Sequence, residues 1–141
     1  MMINIYLAGP IEDCNDSEIN DWRNKVKGSF LSGIKGINPY RAEEVGDLTS
    51  ERKKRIITKN FLDVKRCDGV LAWLPANINN RRPSYGTVTE IAWAYSFQKP
   101  TWIVSGDELV HFHPAFDYTS MLFRKTEDAV DHINIIFGEY L

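Results

Sequence analysis

The sequence is poor in several features that would assign it to a familiar class. It has two cysteines, Cys14 and Cys67, in 141 residues. They fit no metal-ligand spacing, and so sparse a complement suits a reducing compartment. No apolar run approaches the ~20 residues a membrane helix needs. Met1 leads directly into a strand pattern, so a signal peptide is not expected and a cytoplasmic location is. An excess of one charge sign is also missing: 17 Lys and Arg face 19 Asp and Glu, a formal net charge of −2, which argues against a nucleic-acid polymer as partner. The cluster Arg52-Lys53-Lys54-Arg55 sits beside a helical pattern and reads as a solvated face. No Gly-x-Gly-x-x-Gly follows the first strand, which disfavours a dinucleotide-binding fold. No Asp ends the third strand, where Leu74-Pro75 stands, which sets aside a receiver domain. Repeats, linkers and low-complexity segments are missing, so residues 1–141 read as one domain, with 43% hydrophobic residues to build a core.

What is present is an alternation. Residues 2–8 are β-rich and end at Gly9-Pro10, a strand followed by a sharp turn. Ser17 is a candidate cap for a helix in which Ile19, Trp22, Val26 and Phe30 recur at helical spacing, ended by Gly33. Gly36-Ile37-Asn38 is a short strand candidate. Thr49 or Ser50 caps the next helix, whose face carries Ile56, Asn60, Val64 and Cys67. Val70 to Leu74 is a continuous apolar run, as expected of a strand covered on both faces. A helix from Ser84 to about Gln98, a strand at 101–104, a weaker strand at Met121-Leu122-Phe123 and a helix capped by Thr126 complete the chain. This order predicts an α/β three-layer sandwich, Rossmann- or flavodoxin-like, on a five-stranded, mostly parallel sheet. In such a sheet ligands bind beyond the carboxyl ends of the strands, where strand order reverses. The loop at Gly9-Pro10 would then face the segment Ser84–Glu90 across one crevice, with Tyr6 near its floor. The irregular piece from Pro75 to Pro83 is a candidate lip over it.

Ser84-Tyr85-Gly86-Thr87-Val88-Thr89-Glu90 is the most informative stretch. Ser84 can cap the helix, and Gly86 and Thr87 lie in its first turn, where backbone N–H groups have no partner inside the helix. With the helix dipole they suit an anion such as a phosphate. Glu90, one to two turns in, would place a carboxylate in the same crevice. The stretch equally fits an ordinary helix start whose Glu faces water. His111 and His113 are spaced as a metal pair, but no third ligand is evident and no metal or other cofactor is expected.

Taken together, Tyr6-Leu7-Ala8-Gly9-Pro10-Ile11, Trp22-Arg23, Asn38-Pro39, Cys67-Asp68-Gly69-Val70, Ser84-x-Gly86-Thr87-x-x-Glu90, Lys99-Pro100, His113-Pro114 and Glu127-Asp128-Ala129-Val130 resemble the nucleoside 2-deoxyribosyltransferase family, which includes N-glycosidases of nucleoside 5′-monophosphates. The resemblance implies retaining, two-step cleavage of an N-glycosidic bond, with the sugar passed to water or to a second base. Glu90 occupies the place of the nucleophile and Tyr6 that of the tyrosine positioning it. Gly9, Pro10 and Ile11 would supply backbone contacts to a small nucleoside or nucleotide. Ser84 stands where free-nucleoside transferases commonly carry Asp, and a Ser there suits a 5′-phosphate, which an Asp would repel. Arg81 and Arg82 can add charge or be plainly solvated. The chain departs from the pattern at Asn60, where the family usually has an Asp that helps the base to leave. An Asn cannot deliver a proton. Asp63, three residues on, is either a stand-in or a surface carboxylate. Trp73 and Trp93 flank the site in sequence: a base can stack on either, though core packing suits Trp93 better. In the family a neighbouring subunit completes the site, which here would use the region from His113 to Met121 of a homodimer or larger assembly. The rival reading, motivated by Asn60, is a non-catalytic nucleotide-binding module.

Overall fold

Each strand divides its side chains between two cores, and this division decides where the chemistry lies. A computed structural model of the chain describes residues 1–40, 49–75, 84–106 and 113–141. The strands are β1 (Ile3–Ala8), β2 (Ile34–Ile37), β3 (Gly69–Trp73), β4 (Thr101–Val104) and β5 (Met121–Phe123). The helices are α1 (Asp16–Ser29), α2 (Ser50–Arg66), α3 (Tyr85–Ser96), α4 (Pro114–Thr119) and α5 (Thr126–Gly138). The sheet order is β2-β1-β3-β4-β5 and every neighbouring pair is parallel. Tyr6 stands opposite Val70, and Val70 opposite Thr101. The direction of winding reverses between β1 and β3, the reversal expected for a flavodoxin-like order.

Side chains alternate across a pleated strand. Ile3, Ile5 and Leu7 of β1, Leu71 of β3 and Trp102 and Val104 of β4 form one core with Val26 of α1 and Ala129, Val130 and Ile133 of α5. Tyr6, Ala8, Val70, Ala72, Leu74 and Ile103 face the other way and pack with Val64 of α2 and Ile91 and Ala94 of α3. The result is three layers: α1 and α5, the sheet, then α2 and α3. The short α4 packs against β5 and α3.

The helix starts show what local sequence can and cannot specify. Thr49 caps α2 by accepting from the Arg52 N–H, and Ser84 caps α3 by accepting from the Thr87 N–H. At α1 the cap is Asn15, not Ser17: Asn15 accepts from the Glu18 N–H and the Glu18 carboxylate accepts from the Asn15 N–H. This reciprocal capping box satisfies two donors where Ser17 would satisfy one. α1 ends at Ser29. Gly33 instead turns the chain into β2 at φ +97, and its carbonyl accepts from the Ile3 N–H at 2.8 Å. Lys125, not Thr126, precedes α5 as cap, without a side-chain bond. α4 was not expected from the sequence; its N-cap is His113, whose Nδ1 accepts from the Ala115 N–H at 3.0 Å. Most of the Pro75–Pro83 piece, with Arg81 and Arg82, and His111 lie outside the described residues.

Candidate active site

α3 carries Thr87, Glu90, Ile91 and Ala94 on one buried stripe, the i, i+3, i+4, i+7 spacing of a single helix face. Turning Glu90 to water would turn Ile91 out of its core as well, at roughly 1.5–3 kcal/mol. The apolar residues therefore hold a carboxylate in the interior: Glu90 is 7% exposed. Tyr6, fully buried on the same side of the sheet, donates its hydroxyl to Glu90 Oε2. The contact joins residues 84 positions apart, through β1 lying beside β3 and α3 packing on both.

Burial is the main influence on this pair. It pushes the Glu90 carboxyl up from 4.5 to about 7, against the hydrogen bond from Tyr6 and the positive charge of Arg23, which both pull it down. Burial, and then the Glu90 charge, push the Tyr6 phenol well above its usual range. Near neutral pH Tyr6 is therefore a neutral donor, and Glu90 lies at the edge of ionisation.

Arg23 was not singled out by sequence reasoning as a site residue. It is fully buried, on the inward stripe of α1 between Ile19 and Val26. A charge on an apolar stripe is the signal that marks it. Its Nε donates to the Leu7 carbonyl at 3.1 Å, its Nη2 to the Gly9 carbonyl at 3.1 Å and its Nη1 to the Ile19 carbonyl at 2.5 Å. It thus ties α1 to the end of β1. Gly9 is boxed in beside it: a Cβ there would lie 2.6 Å from Trp22 Cζ2 and 3.2 Å from Arg23 Nη2. Pro10 and Ile11 follow, with the Ile11 carbonyl accepting from the Cys14 N–H at 3.1 Å.

At the N-terminus of α3 the Ser84 and Thr87 hydroxyls lie 2.7 Å apart, and Ser84 Oγ also accepts from the Thr87 N–H at 3.3 Å. One hydroxyl donates to the other, so the second keeps its hydrogen for an outside acceptor. Gly86 is exposed, and a Cβ added to it would meet nothing within 4 Å.

The remaining expected residues divide by face. Asn60 on α2 has a buried Oδ1 with no hydrogen-bond partner among the described residues. Asp63 is paired with Lys59 at 3.2 Å and lines an open groove of about 440 Å³ on α2 with Lys54, Arg55 and Arg66. Its charge still reaches Tyr6. Trp93 packs edge-on against Phe61 in the α2–α3 core. Trp73 and Met121 pack with the opposite core, away from the face holding Tyr6 and Glu90. Trp73 lies there against Trp22, with ring centroids 5.4 Å apart. The structure therefore does not bring Trp73 beside Glu90 as a stacking surface; strand alternation sends it the other way. His113 is exposed at the start of α4.

The sequence model of the nucleoside 2-deoxyribosyltransferase family matches residues 5–132. The chain belongs to this family. Solved structures agree in fold. A 2-deoxyribosyltransferase from Bacillus psychrosaccharolyticus superposes with a TM-score of 0.68 at 17% identity, over 91% of this chain and 90% of that one. A 2-deoxyribosyltransferase from Leishmania mexicana gives 0.53 at 25% identity, over 74% of this chain and 65% of that one. The CMP N-glycosidase BcmB of Clostridium botulinum gives 0.58 at 11% identity, over 94% and 98%. No curated protein sequence matches the chain. Membership of the deoxyribosyltransferase family makes the protein a glycosyl transferase or N-glycosidase type of enzyme for small nucleosides or nucleotides. Among the described residues no helix is long and apolar enough to cross a membrane.

Proposed function

We propose that this deoxyribosyltransferase-family protein cleaves the N-glycosidic bond of a nucleoside 5′-monophosphate through a covalent glycosyl-Glu90 intermediate. The observation that carries the reading is the buried Tyr6–Glu90 pair. Tyr6 occupies Oε2, which leaves Oε1 to attack the anomeric carbon. The C1′–N bond breaks, its electron pair leaves with the base, and the base takes a proton from solvent. Water then attacks C1′, the C1′–Oε1 bond breaks, the Glu90 carboxylate returns and the water's proton goes to solvent. A second base in place of water gives exchange rather than hydrolysis. Burial that lifts Glu90 to about 7 makes its carboxylate more basic and a better nucleophile than an exposed one, while Tyr6 and Arg23 keep it ionisable near neutrality.

The α3 N-terminus supports the phosphate part of the reading: the exposed Gly86 and an available hydroxyl from the Ser84–Thr87 pair suit a dianion, and the first turn of α3 carries no acidic residue to repel it. Asn60 supports a role at the base, since its buried Oδ1, unpartnered among the described residues, would accept from a ring or exocyclic N–H. Gly9, Pro10 and Ile11 line the loop across the crevice. A second subunit bringing its His113–Met121 region to the site is part of the proposal, and the strongly exposed Tyr118 in that region suits a contact.

The test is base release from nucleosides and their 5′-monophosphates, with and without a second free base, in wild type and Glu90→Ala. Release from monophosphates that needs Glu90 and no acceptor is expected. Faster turnover of free nucleosides would refute the phosphate assignment. The second reading, a nucleotide-binding module, is favoured by Asn60, which removes the usual proton donor. It predicts nucleotide affinity without base release, unchanged in Glu90→Ala, and restoration of release by Asn60→Asp.

A further inference from the structure

We propose that Arg23 is a positioning residue for Glu90: its guanidinium fork locks the end of β1, and its charge serves the buried carboxylate as counter-ion. The proposal rests on the reading of Glu90 as nucleophile. Arg23 is fully buried, yet its three hydrogen bonds all go to neutral backbone carbonyls. Among the described residues no carboxylate forms a salt bridge with it. Its guanidinium carbon lies 4.7 Å from the centroid of the Trp22 ring, a contact that softens but does not neutralise a buried charge. Packing alone would be met by a Leu or Met at no electrostatic cost, so a bare cation here needs an anion to offset it. Its charge acts on Tyr6, Glu90 and Cys14; burial keeps the Tyr6 phenol neutral, and the carboxylate among the three is Glu90, which Arg23 pulls back toward ionisation.

The fork acts on the same point. Leu7 and Gly9 flank Ala8, the last residue of β1, so two of the three bonds straddle the place where the strand stops and the Gly9-Pro10 turn begins. Tyr6, one residue before Leu7, takes its position from that strand end. Arg23 thereby holds the tyrosine by geometry and the glutamate by charge. Among the described residues the other ionisable groups acting on the pair are Tyr6 from β1, Cys14 from the segment before α1, and Asp63 from α2, which acts on Tyr6.

The experiment labels glutamate side-chain carboxyls with ¹³C, assigns Glu90 by its loss in Glu90→Gln, and follows its titration in wild type, Arg23→Lys and Arg23→Gln. The pH profile of kcat/KM for base release is recorded beside it. Arg23→Gln is expected to raise the Glu90 midpoint by about one pH unit. The acid limb of kcat/KM should follow, so activity at pH 6 falls about tenfold more than at pH 9. Arg23→Lys keeps the charge and loses the fork: its midpoint should stay within a few tenths of a pH unit, with kcat lowered at all pH values. An unmoved Glu90 midpoint in Arg23→Gln overturns the proposal. If Arg23→Gln does not fold, Arg23→Lys decides: a midpoint displaced by a full pH unit despite the retained charge overturns it, and an unmoved one supports it. The titration needs no turnover. Absence of base release from the wild type would therefore refute the proposed function while leaving the Arg23–Glu90 coupling measured.

Discussion

Replacing Glu90 with Gln should stabilise the folded protein above neutral pH and leave it little changed in acid. The Glu90 carboxyl rises from 4.5 to about 7 on folding, chiefly by burial. Between those values the folded chain holds a proton that the unfolded chain has released. Stability therefore falls with rising pH, by about 1.4 kcal/mol per pH unit. The contribution is fully present below pH 4.5, declines through the interval and is gone above pH 7. Over the whole interval it amounts to about 3 kcal/mol. Gln has nearly the same shape and can still accept from the Tyr6 hydroxyl, but carries no charge to bury. Its stability curve should lack this decline. Urea unfolding of both proteins from pH 4 to 9 measures the difference directly. The gap, Gln over wild type, should grow by about 3 kcal/mol between pH 4.5 and 8. Curves that stay parallel within about 0.5 kcal/mol would refute the claim that Glu90 is held in the interior against its own ionisation.

Tyr6→Phe removes a hydrogen bond to a buried charged acceptor, worth ~1.5–3 kcal/mol, so the acid limb of kcat/KM should move up by about 1–2 pH units; an equal loss at every pH would mean that the hydroxyl does not set Glu90 ionisation. Gly9→Ala places a Cβ 2.6 Å from Trp22 Cζ2 and should cost about 1–3 kcal/mol in urea unfolding, whereas Gly86→Ala, with nothing within 4 Å, should stabilise α3 by up to ~1 kcal/mol. Ser84→Asp sets a negative charge at the α3 N-terminus and should cut base release from monophosphates, relative to free nucleosides, on the order of 10- to 100-fold; unchanged discrimination would remove the phosphate from that end of the helix.

The layer order and much of the candidate site are local properties of the sequence. Apolar runs of four to six residues alternating with helical spacing leave little besides a parallel sheet covered on both faces, and the β2-β1-β3-β4-β5 order follows the expectation. Ser84 and Thr49 cap their helices because a hydroxyl beside free N–H groups is a local matter. The helix start at Ser84 and the family resemblance single out Tyr6 and Glu90 as candidates, but their contact is not local: it depends on β1 and β3 being neighbours and on Ile91 and Ala94 choosing the buried face of α3. Other outcomes were competitions the sequence leaves open. Asn15 won the α1 cap over Ser17 because Glu18 lies at the reciprocating distance. Trp73 went to the α1–α5 core because strand alternation gives each residue one face, and the tertiary pairing decided which. Arg23 shows the division most clearly. Its place on an apolar stripe is written in the sequence, but that its charge is buried beside the end of β1, where it reaches Glu90, exists only once α1 has folded back onto the sheet. Local hydrogen bonds and side-chain spacing are fixed by near neighbours. Burial, and with it the electrostatics of Tyr6, Arg23 and Glu90, is set by segments far apart in the chain.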